Sequence, residues 1–253
     1  MAVTRHQLTA FLNELLRPDD ISDFCPNGLQ VEGSSEISTI VTGVTASQAL
    51  IDEAVRLNAD AILVHHGYFW KGEDPALTGM KGKRIRTLIK NDINLFAYHL
   101  PIDVHPQYGN NAQLGEVMGL TELSPLAGVK PTGIIFTGET REPVSGNDFR
   151  QQLETALGRN VLHEGHPAKD IRSVAWCTGG GQGYIEQAIA AGVDAFVTGE
   201  VSEQTVHAAR ELGIHFFAAG HHATERYGVK AVGEWLAAEL DVSVEFIEID
   251  NPA

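Results

Sequence analysis

Two adjacent histidines, His65 and His66, end the apolar segment DAILVHH. Asp103 follows a second apolar segment, and His221 and Glu225 follow a third. Imidazole and carboxylate groups without thiolate are the ligands of a hard or borderline divalent ion that activates water. Together these side chains predict a dinuclear metal site that supports hydrolysis.

The spacing of these residues limits the elements that can carry them. His221 and Glu225 have the i, i+4 spacing that places two side chains on one helix face, and Gly220 suits a tight turn from strand to helix. Neighbours on a strand point to opposite faces, so both imidazoles of the His pair cannot reach one site from a regular strand. We therefore expect that strand to end near Val64 and the chain to turn at 65–67.

The first half of the chain repeats the four-residue spacing, with His99 before Asp103, but Pro101 lies between them. Because a proline interrupts a helix, we expect this segment to be a loop. His99 and Glu200 are the predicted proton-transfer residues, since a metal site for hydrolysis needs a base and groups that orient its ligands. Either residue could instead orient a ligand through a hydrogen bond. The structural alternatives are a packing histidine at 99 and, at 200, a solvated carboxylate at a helix start.

An internal repeat places all of these residues at strand ends. Residues 40–66 align with residues 174–200 at a constant offset of 134, and Asp60-Ala61 then matches Asp194-Ala195. Each copy has the pattern strand, turn, amphipathic helix, strand, which is typical of a largely parallel sheet covered by helices. Predicted helices at about 4–16 and 147–157 extend the repeat.

The predicted fold class is therefore α/β, with two similar domains from an internal duplication, residues 1–127 and 128–253. Ligands in open α/β sheets bind beyond the carboxyl ends of the strands. We accordingly expect the metal site in the cleft between the two domains.

Composition narrows the classes of protein that fit. The 253 residues are 43% hydrophobic and carry a formal net charge of −15, which argues against binding along duplex nucleic acid through many phosphate contacts. The N-terminal segment lacks the pattern of a signal peptide, and no apolar run approaches the ~18 residues of a membrane span. Two cysteines, Cys25 and Cys177, fit a reducing compartment. We expect a cytoplasmic protein without a membrane partner.

Three further features have a functional and a structural interpretation. The turn GGGQG at 179–183 could bind a phosphate at a helix N-terminus or form only a tight turn. The aromatic run 68–70 could stack on a nucleobase or pack in the core. The basic run 81–90 could receive an anion, although a solvated helix face is the simpler interpretation.

Several longer motifs resemble one known family. SDFCPNGLQVEG, DAILVHHGYFWKG, YHLPIDVHP with GNNAQL, DAFVTGEVSEQTVHAA and AAGHHATER are similar to the NIF-three-like family, also called GTP cyclohydrolase I type 2 homologues. The resemblance implies a dinuclear metal centre, two α/β domains in each subunit and a homohexameric ring. Carried over motif by motif, it implies the metal ligands His65, His66, Asp103, His221 and Glu225.

The leading functional hypothesis is a hydrolase that uses two divalent metal ions per subunit to activate water against a nucleotide or related small heterocycle. The family name implies attack on the imidazole carbon of a guanine nucleotide. The alternative is a non-enzymatic, metal-containing ring that binds a protein or single-stranded nucleic acid. Ligands without thiolate admit Zn, Mn, Fe, Ni or Mg, and the residues do not choose among them.

Overall fold

A computed structural model describes residues 2–165 and 169–253 of the chain. Those residues form two compact units, one of the described residues up to Ile102 together with Gly228–Asp250, and one of the described residues from Asp103 to Tyr227 together with Asn251–Ala253. These bounds differ from the repeat bounds 1–127 and 128–253, because residues 103–127 belong to the second unit and Gly228–Asp250 belongs to the first. The repeat bounds stay a prediction about the sequence pattern.

Elements of the first half alternate between strands and helices, as the repeat predicts. In chain order they are β1 (Val3–Thr4), α1 (Arg5–Leu16), β2 (Gly28–Val31), β3 (Glu36–Ile37), β4 (Thr39–Thr45), α2 (Gln48–Arg56), β5 (Ala61–His66), α3 (Gly79–Lys90), β6 (Asn94–Ala97) and α4 (Leu100–Val104).

Elements of the second half follow a similar alternation. They are α5 (Asn110–Val117), β7 (Thr121–Pro125), β8 (Phe136–Ser145), α6 (Gly146–Leu157), β9 (Leu162–Glu164), β10 (Asp170–Cys177), α7 (Ile185–Ala190), β11 (Ala195–Thr198), α8 (Glu203–Leu212), β12 (His215–Ala218), α9 (His221–Glu239) and β13 (Ser243–Phe246). Short 3-10 turns lie at Pro18–Asp20 and Gln182–Tyr184.

The main sheet of the first unit has the strand order β13-β4-β5-β6-β2. Strands β4, β5 and β6 are parallel, and β2 pairs antiparallel with β6. The sheet of the second unit has the order β7-β8-β10-β11-β12-β9, with β10, β11 and β12 parallel and β9 antiparallel to β12. The same arrangement of parallel strands and antiparallel edge recurs in both units. The predicted fold class, two similar α/β units from a duplication, is confirmed.

Helix starts follow local sequence signals. Thr4 caps α1 through a capping box with Gln7, and Ser145 caps α6 by accepting the N–H of Asp148. These two helices occupy the positions that the repeat predicts. Their buried leucines, Leu12 in α1 and Leu153 in α6, anchor them within their units.

In each unit one carboxylate accepts two backbone N–H groups just before the pairing of β4 with β5, or of β10 with β11, begins. An Oδ2 atom of Asp60 accepts the N–H groups of Ser38 and Thr39 at 2.8 and 3.0 Å. At the positions 134 residues later, Asp194 Oδ2 accepts the N–H groups of Arg172 and Ser173 at 3.1 and 2.9 Å. The duplication therefore extends to individual hydrogen bonds.

Each unit has its own core. In the first, helices α2 and α3 bury apolar side chains such as Leu50 and Leu88 against Ile62 and Val64 of the sheet. In the second, the core gathers around the fully buried Trp176 of β10. Burial of each large apolar side chain contributes ~1.5–3 kcal/mol to folding.

The described helices include none with both the length and the apolar character that a membrane span requires.

Candidate metal centre

His65 and His66 form the end of β5, and both are within the strand. The expected end of the strand near Val64 is therefore wrong. Pairing with β6 stops at Val64 and Ala97, whereas pairing with β4 continues to Thr45 and His66. The His pair thus extends past the neighbouring strand on one side, and its two rings lie with centroids 4.5 Å apart.

The Nδ1 atoms of both rings have partners in the first unit. His65 is completely buried, and its Nδ1 lies 3.2 Å from the carbonyl oxygen of Tyr98. A carbonyl only accepts, so Nδ1 of His65 carries the proton. His66 Nδ1 lies 3.2 Å from the hydroxyl oxygen of Thr45.

His99 joins these two histidines just after β6. A ring nitrogen of His99 and ring nitrogens of His65 and His66 all lie within 4.8 Å of one another, close enough for the three to hold one ion. The backbone N–H of His99 donates to Asn27 Oδ1 at 2.7 Å. Trp70 packs edge to face against the His99 ring, with centroids 4.9 Å apart.

Asp23 holds His99 from a loop that is distant in the sequence. Its Oδ1 lies 2.7 Å from Nδ1 of His99, and its Oδ2 accepts the backbone N–H of Leu100 at 2.9 Å. Burial alone would raise the pKa of Asp23, but the hydrogen bonds from His99 and Asn27 outweigh it and lower the pKa to about 2. Asp23 is therefore an ionised acceptor at neutral pH.

Cys25 lies beside this pair and forms a second group of donor atoms with Asp23 and His99. Burial, with the added effect of the Asp23 charge, raises the pKa of the Cys25 thiol to about 12. The thiol is consequently protonated at neutral pH and is a poor ligand in that form.

Asp103, in the second unit, lies on the short helix α4. The expected loop at this point is wrong, because Pro101 occupies the first turn of the helix, where a missing N–H leaves no hydrogen bond unmade. The Asp103 carboxylate is buried, and its Oδ1 accepts from Asn110 Nδ2 at 2.9 Å and from Thr178 Oγ1 at 3.2 Å.

The amide of Asn111 fixes the backbone next to this carboxylate. Its Nδ2 donates to the carbonyl of Gly133 at 3.0 Å, and its Oδ1 accepts the N–H of Thr178 at 3.0 Å. Trp176 Nε1 donates to the Asn111 carbonyl at 2.8 Å. This buried network sets the positions of the groups that orient Asp103.

His221 and Glu225 lie on the first turns of α9, after Gly220 with a φ of +97°. The predicted i, i+4 arrangement on a helix is confirmed, since His221 Nε2 and Glu225 Oε2 are 3.1 Å apart. The hydrogen bond with Glu225 is the main cause that raises the pKa of His221 to about 9. Burial opposes this shift, and Glu200 adds to it.

Glu200 contacts the other nitrogen of the same ring. Its Oε1 lies 2.7 Å from His221 Nδ1, and its Oε2 accepts from Gln182 Nε2 at 3.2 Å. A carboxylate on one ring nitrogen is the usual partner of a metal-ligating histidine. The contact supports the orienting role for Glu200, while proton transfer by Glu200 stays a prediction.

The GGGQG turn approaches these carboxylates closely. Gly179 has a φ of +62°, and a Cβ there would lie 1.9 Å from Glu225 Oε1 and 3.2 Å from His221 Nε2. The N–H of Gly179 donates to Thr224 Oγ1 at 2.9 Å. This N–H group is therefore used within the protein and does not point at a phosphate.

Of the aromatic residues 68–70, two pack in the first unit and one contacts the candidate metal centre. Tyr68 is buried and donates its hydroxyl to the carbonyl of Ala46, and Phe69 packs against the core of the first unit. Trp70 is the member that contacts His99, and its ring centroid lies 6.0 Å from that of His66.

Sequence reasoning missed the residues that orient the predicted ligands: Asp23, Asn110, Asn111 and Thr178. Asp23, Asn110 and Asn111 lie in the motifs SDFCPNGLQVEG and GNNAQL, and their place in these motifs is the signal that the sequence offers for them. Asn110 lies seven residues after Asp103, but Asp23 and Thr178 are 76 and 75 residues from their partners, and no local spacing connects these two to the site.

A family model described as Duf34/NIF3 (NGG1p interacting factor 3) matches residues 3–252. This chain belongs to the Duf34/NIF3 family. Two relatives, both called GTP cyclohydrolase 1 type 2 homolog, are 58% identical in Haemophilus influenzae and 55% identical in Escherichia coli K12. In each case the alignment covers 98% of this chain and 98% of the relative.

Solved structures of similar proteins have the same fold. The protein ybgI, described as of unknown function, is 53% identical with a TM-score of 0.93, over 99% of this chain and all of the other. TTHA1606 from Thermus thermophilus is 30% identical with a TM-score of 0.88 over the same shares. The resemblance to this family that the motifs carry is thereby confirmed.

Proposed function

We propose that the protein is a metal-dependent hydrolase that acts on a nucleotide or a related small heterocycle. Its two divalent ions are bound by the side chains that the sequence singles out. These are His65, His66, Asp103, His221 and Glu225.

The observation that carries this proposal is the way in which the donor atoms are oriented. His65 is fixed by a carbonyl and His221 by the carboxylate of Glu200, while Asp103 receives two hydrogen bonds on one oxygen and is buried. Orienting partners of this kind are typical of metal ligands. Gly179 leaves beside Glu225 and His221 a space that any larger residue would fill.

The donor set fits a hard or borderline divalent ion, so Zn, Mn, Fe, Ni and Mg all remain candidates. When bound, such ions lower the pKa of water from 15.7 toward ~7 and polarise the substrate atom under attack. The proposed proton carriers are Glu200, whose carboxylate is half exposed, and His99.

The names of the relatives support the proposed substrate class. The relatives are called homologs of GTP cyclohydrolase 1 type 2, a name that indicates a guanine nucleotide. Trp70, beside His66 and His99, offers an aromatic surface next to the imidazoles on which a heterocycle can stack.

The test combines elemental analysis of the purified protein with a hydrolysis screen over a panel of nucleotides and related heterocycles. We expect about two divalent ions per chain and turnover of at least one compound. His65→Ala and Asp103→Ala should lose both metal and turnover. The control is His207→Ala, which removes an exposed histidine on α8.

Metal that stays bound without any turnover across the panel would contradict the hydrolase. In that case, binding of a protein or single-stranded nucleic acid by the wild type and by Asp103→Ala would favour the non-enzymatic ring.

A further inference from the structure

We propose that the solvent-facing side of helix α3 is a docking surface for an acidic, amphipathic segment of another protein. Its centre is formed by Lys83, Arg86 and Lys90, which we call the basic face. Two exposed apolar side chains, Met80 and Ile89, lie near its ends. The surface includes none of the proposed metal ligands, so the inference goes beyond the proposed function.

The burial pattern of α3 places the basic face toward solvent. The buried residues of the helix recur every three positions, at Gly82, Ile85 and Leu88. The basic face has the spacing i, i+3, i+7, which brings side chains together on one side of a helix, and all three of its residues are exposed. At a rise of ~1.5 Å per residue it extends over ~10 Å of the helix.

The charges of the basic face are not neutralised within the described part of the chain. Residues 81–90 include five Lys or Arg and no Asp or Glu, in a chain with a formal net charge of −15. Lys81 contacts Glu73 at 3.5 Å, but no hydrogen bond or ion pair joins a side chain of the basic face to a described residue. The neighbouring Arg84 has a buried Nε atom that also has no hydrogen-bond partner among the described residues. These cations are therefore available to an anionic partner.

The same charges destabilise the helix that carries them. Lys83 and Arg86 are three positions apart and Arg86 and Lys90 four, so like charges are neighbours along the face. Only Lys90 lies in the last turn, where the helix dipole favours a cation. Helix α2, by contrast, pairs Arg56 with Glu53 at 2.8 Å. A departure from local stability on a solvent-facing surface is expected where the surface binds a partner.

The chemistry of the surface favours an acidic protein segment over nucleic acid. Met80 is 68% exposed and Ile89 56%, and an apolar partner removes such side chains from water. They are nine positions apart, ~13 Å along the helix, so an amphipathic segment can cover both while its carboxylates reach the basic face. Residues 79–90 include no aromatic side chain on which a base could stack, and three cations provide few phosphate contacts.

The experiment measures the binding of a fluorescein-labelled synthetic peptide by fluorescence anisotropy. The peptide is an amphipathic helix with glutamates spaced to match the basic face and leucines at both ends, and a second peptide has glutamine in place of every glutamate. We expect the acidic peptide to bind at least tenfold more tightly than the glutamine peptide. Added salt should weaken this binding, because ion pairs at an exposed surface are screened.

Arg86→Glu should bind the acidic peptide at least tenfold more weakly than the wild type does. The variant should fold, because the new carboxylate lies four positions before Lys90, in the favourable order. Lys230→Glu is the matched control, since it makes the same change of charge at an exposed position of α9, and it should retain the wild-type affinity. Met80→Ser should weaken binding without changing its salt dependence, because it removes an apolar contact only.

Equal affinity of the wild type for the two peptides would overturn the inference, and so would equal weakening in Arg86→Glu and Lys230→Glu. Labelled oligothymidylate is measured with the same proteins. If it binds more tightly than the acidic peptide and Arg86→Glu abolishes that binding, the surface belongs to single-stranded nucleic acid and the inference is wrong. Circular dichroism shows whether each variant is folded, and Lys83→Glu replaces Arg86→Glu if it is not.

Discussion

The contacts of Glu200 bear on whether it orients a metal ligand or transfers a proton. Its carboxylate contacts His221 Nδ1 at 2.7 Å and is held in turn by Gln182. A residue that orients a ligand affects metal affinity, whereas a residue that only transfers a proton affects turnover. The hydrogen bonds favour an effect on affinity.

We predict that Glu200→Gln lowers metal affinity ~10–100-fold, because the neutral amide no longer stabilises the Nδ1–H of His221. Chelator competition at fixed pH measures the change. Glu203→Gln, which alters an exposed carboxylate on α8, is the control. Full affinity with reduced turnover in Glu200→Gln would instead support the proton-transfer role.

At the scale of elements, the turn after β10 passes close to the start of α9. Gly179 has a positive φ and lies against Glu225, whereas Gly183, in the same turn, has nothing within 4 Å of an added Cβ. The two glycines therefore provide a comparison within one loop.

We predict that Gly179→Ala lowers metal content by at least half, since the new methyl group overlaps the position of the Glu225 carboxylate. Elemental analysis of both glycine variants measures this. Gly183→Ala should retain the metal content of the wild type. Equal metal content in the two variants would show that the close approach has no role in binding.

Asp60 and Asp194 hold the backbone of β4 and β10 next to the point where each strand begins to pair with the next one. Asp194→Ala should destabilise the protein by ~1–3 kcal/mol, because the N–H groups of Arg172 and Ser173 lose their acceptor. Asp60→Ala should have a similar effect at Ser38 and Thr39. Urea unfolding at neutral pH measures both.

The stabilisation by Asp194 should also depend on pH, and acid unfolding measures the direction of that dependence. Burial opposes the shift, but the hydrogen bonds from Ser173 and Arg172 and the charge of Lys169 lower the pKa of Asp194 below its usual 3.8. The stabilisation is therefore complete above pH 3.8 and is lost as the pH falls through the lower, folded-state value. Asp194→Asn should flatten this acid limb. Asp170→Asn, an exposed change on the same strand, should leave it as steep as in the wild type.

At the scale of the whole molecule, the resemblance to the family predicts how many chains assemble. The family resemblance implies a homohexameric ring, so sedimentation of the purified protein should give a species of six times the 27.3 kDa chain mass. A monomer at micromolar concentration would contradict this.

With a net charge of −15, the same sample should not bind duplex DNA at physiological salt.

The sequence by itself determined the features that repeat or are local. The offset of 134 predicted the two similar α/β units, the i, i+4 spacing predicted the helix that carries His221 and Glu225, and short motifs predicted the family. Such features leave periodic or contiguous patterns in the chain.

Tertiary structure alone decided which residues hold the ligands. Asp23 and His99 are 76 positions apart, and Thr178 and Asp103 are 75 apart, so no local pattern joins them. The extension of β5 to His66 likewise depends on where pairing with its neighbours ends. Hydrogen bonds between distant segments follow from how loops and strand ends pack, and side-chain type or spacing does not encode them.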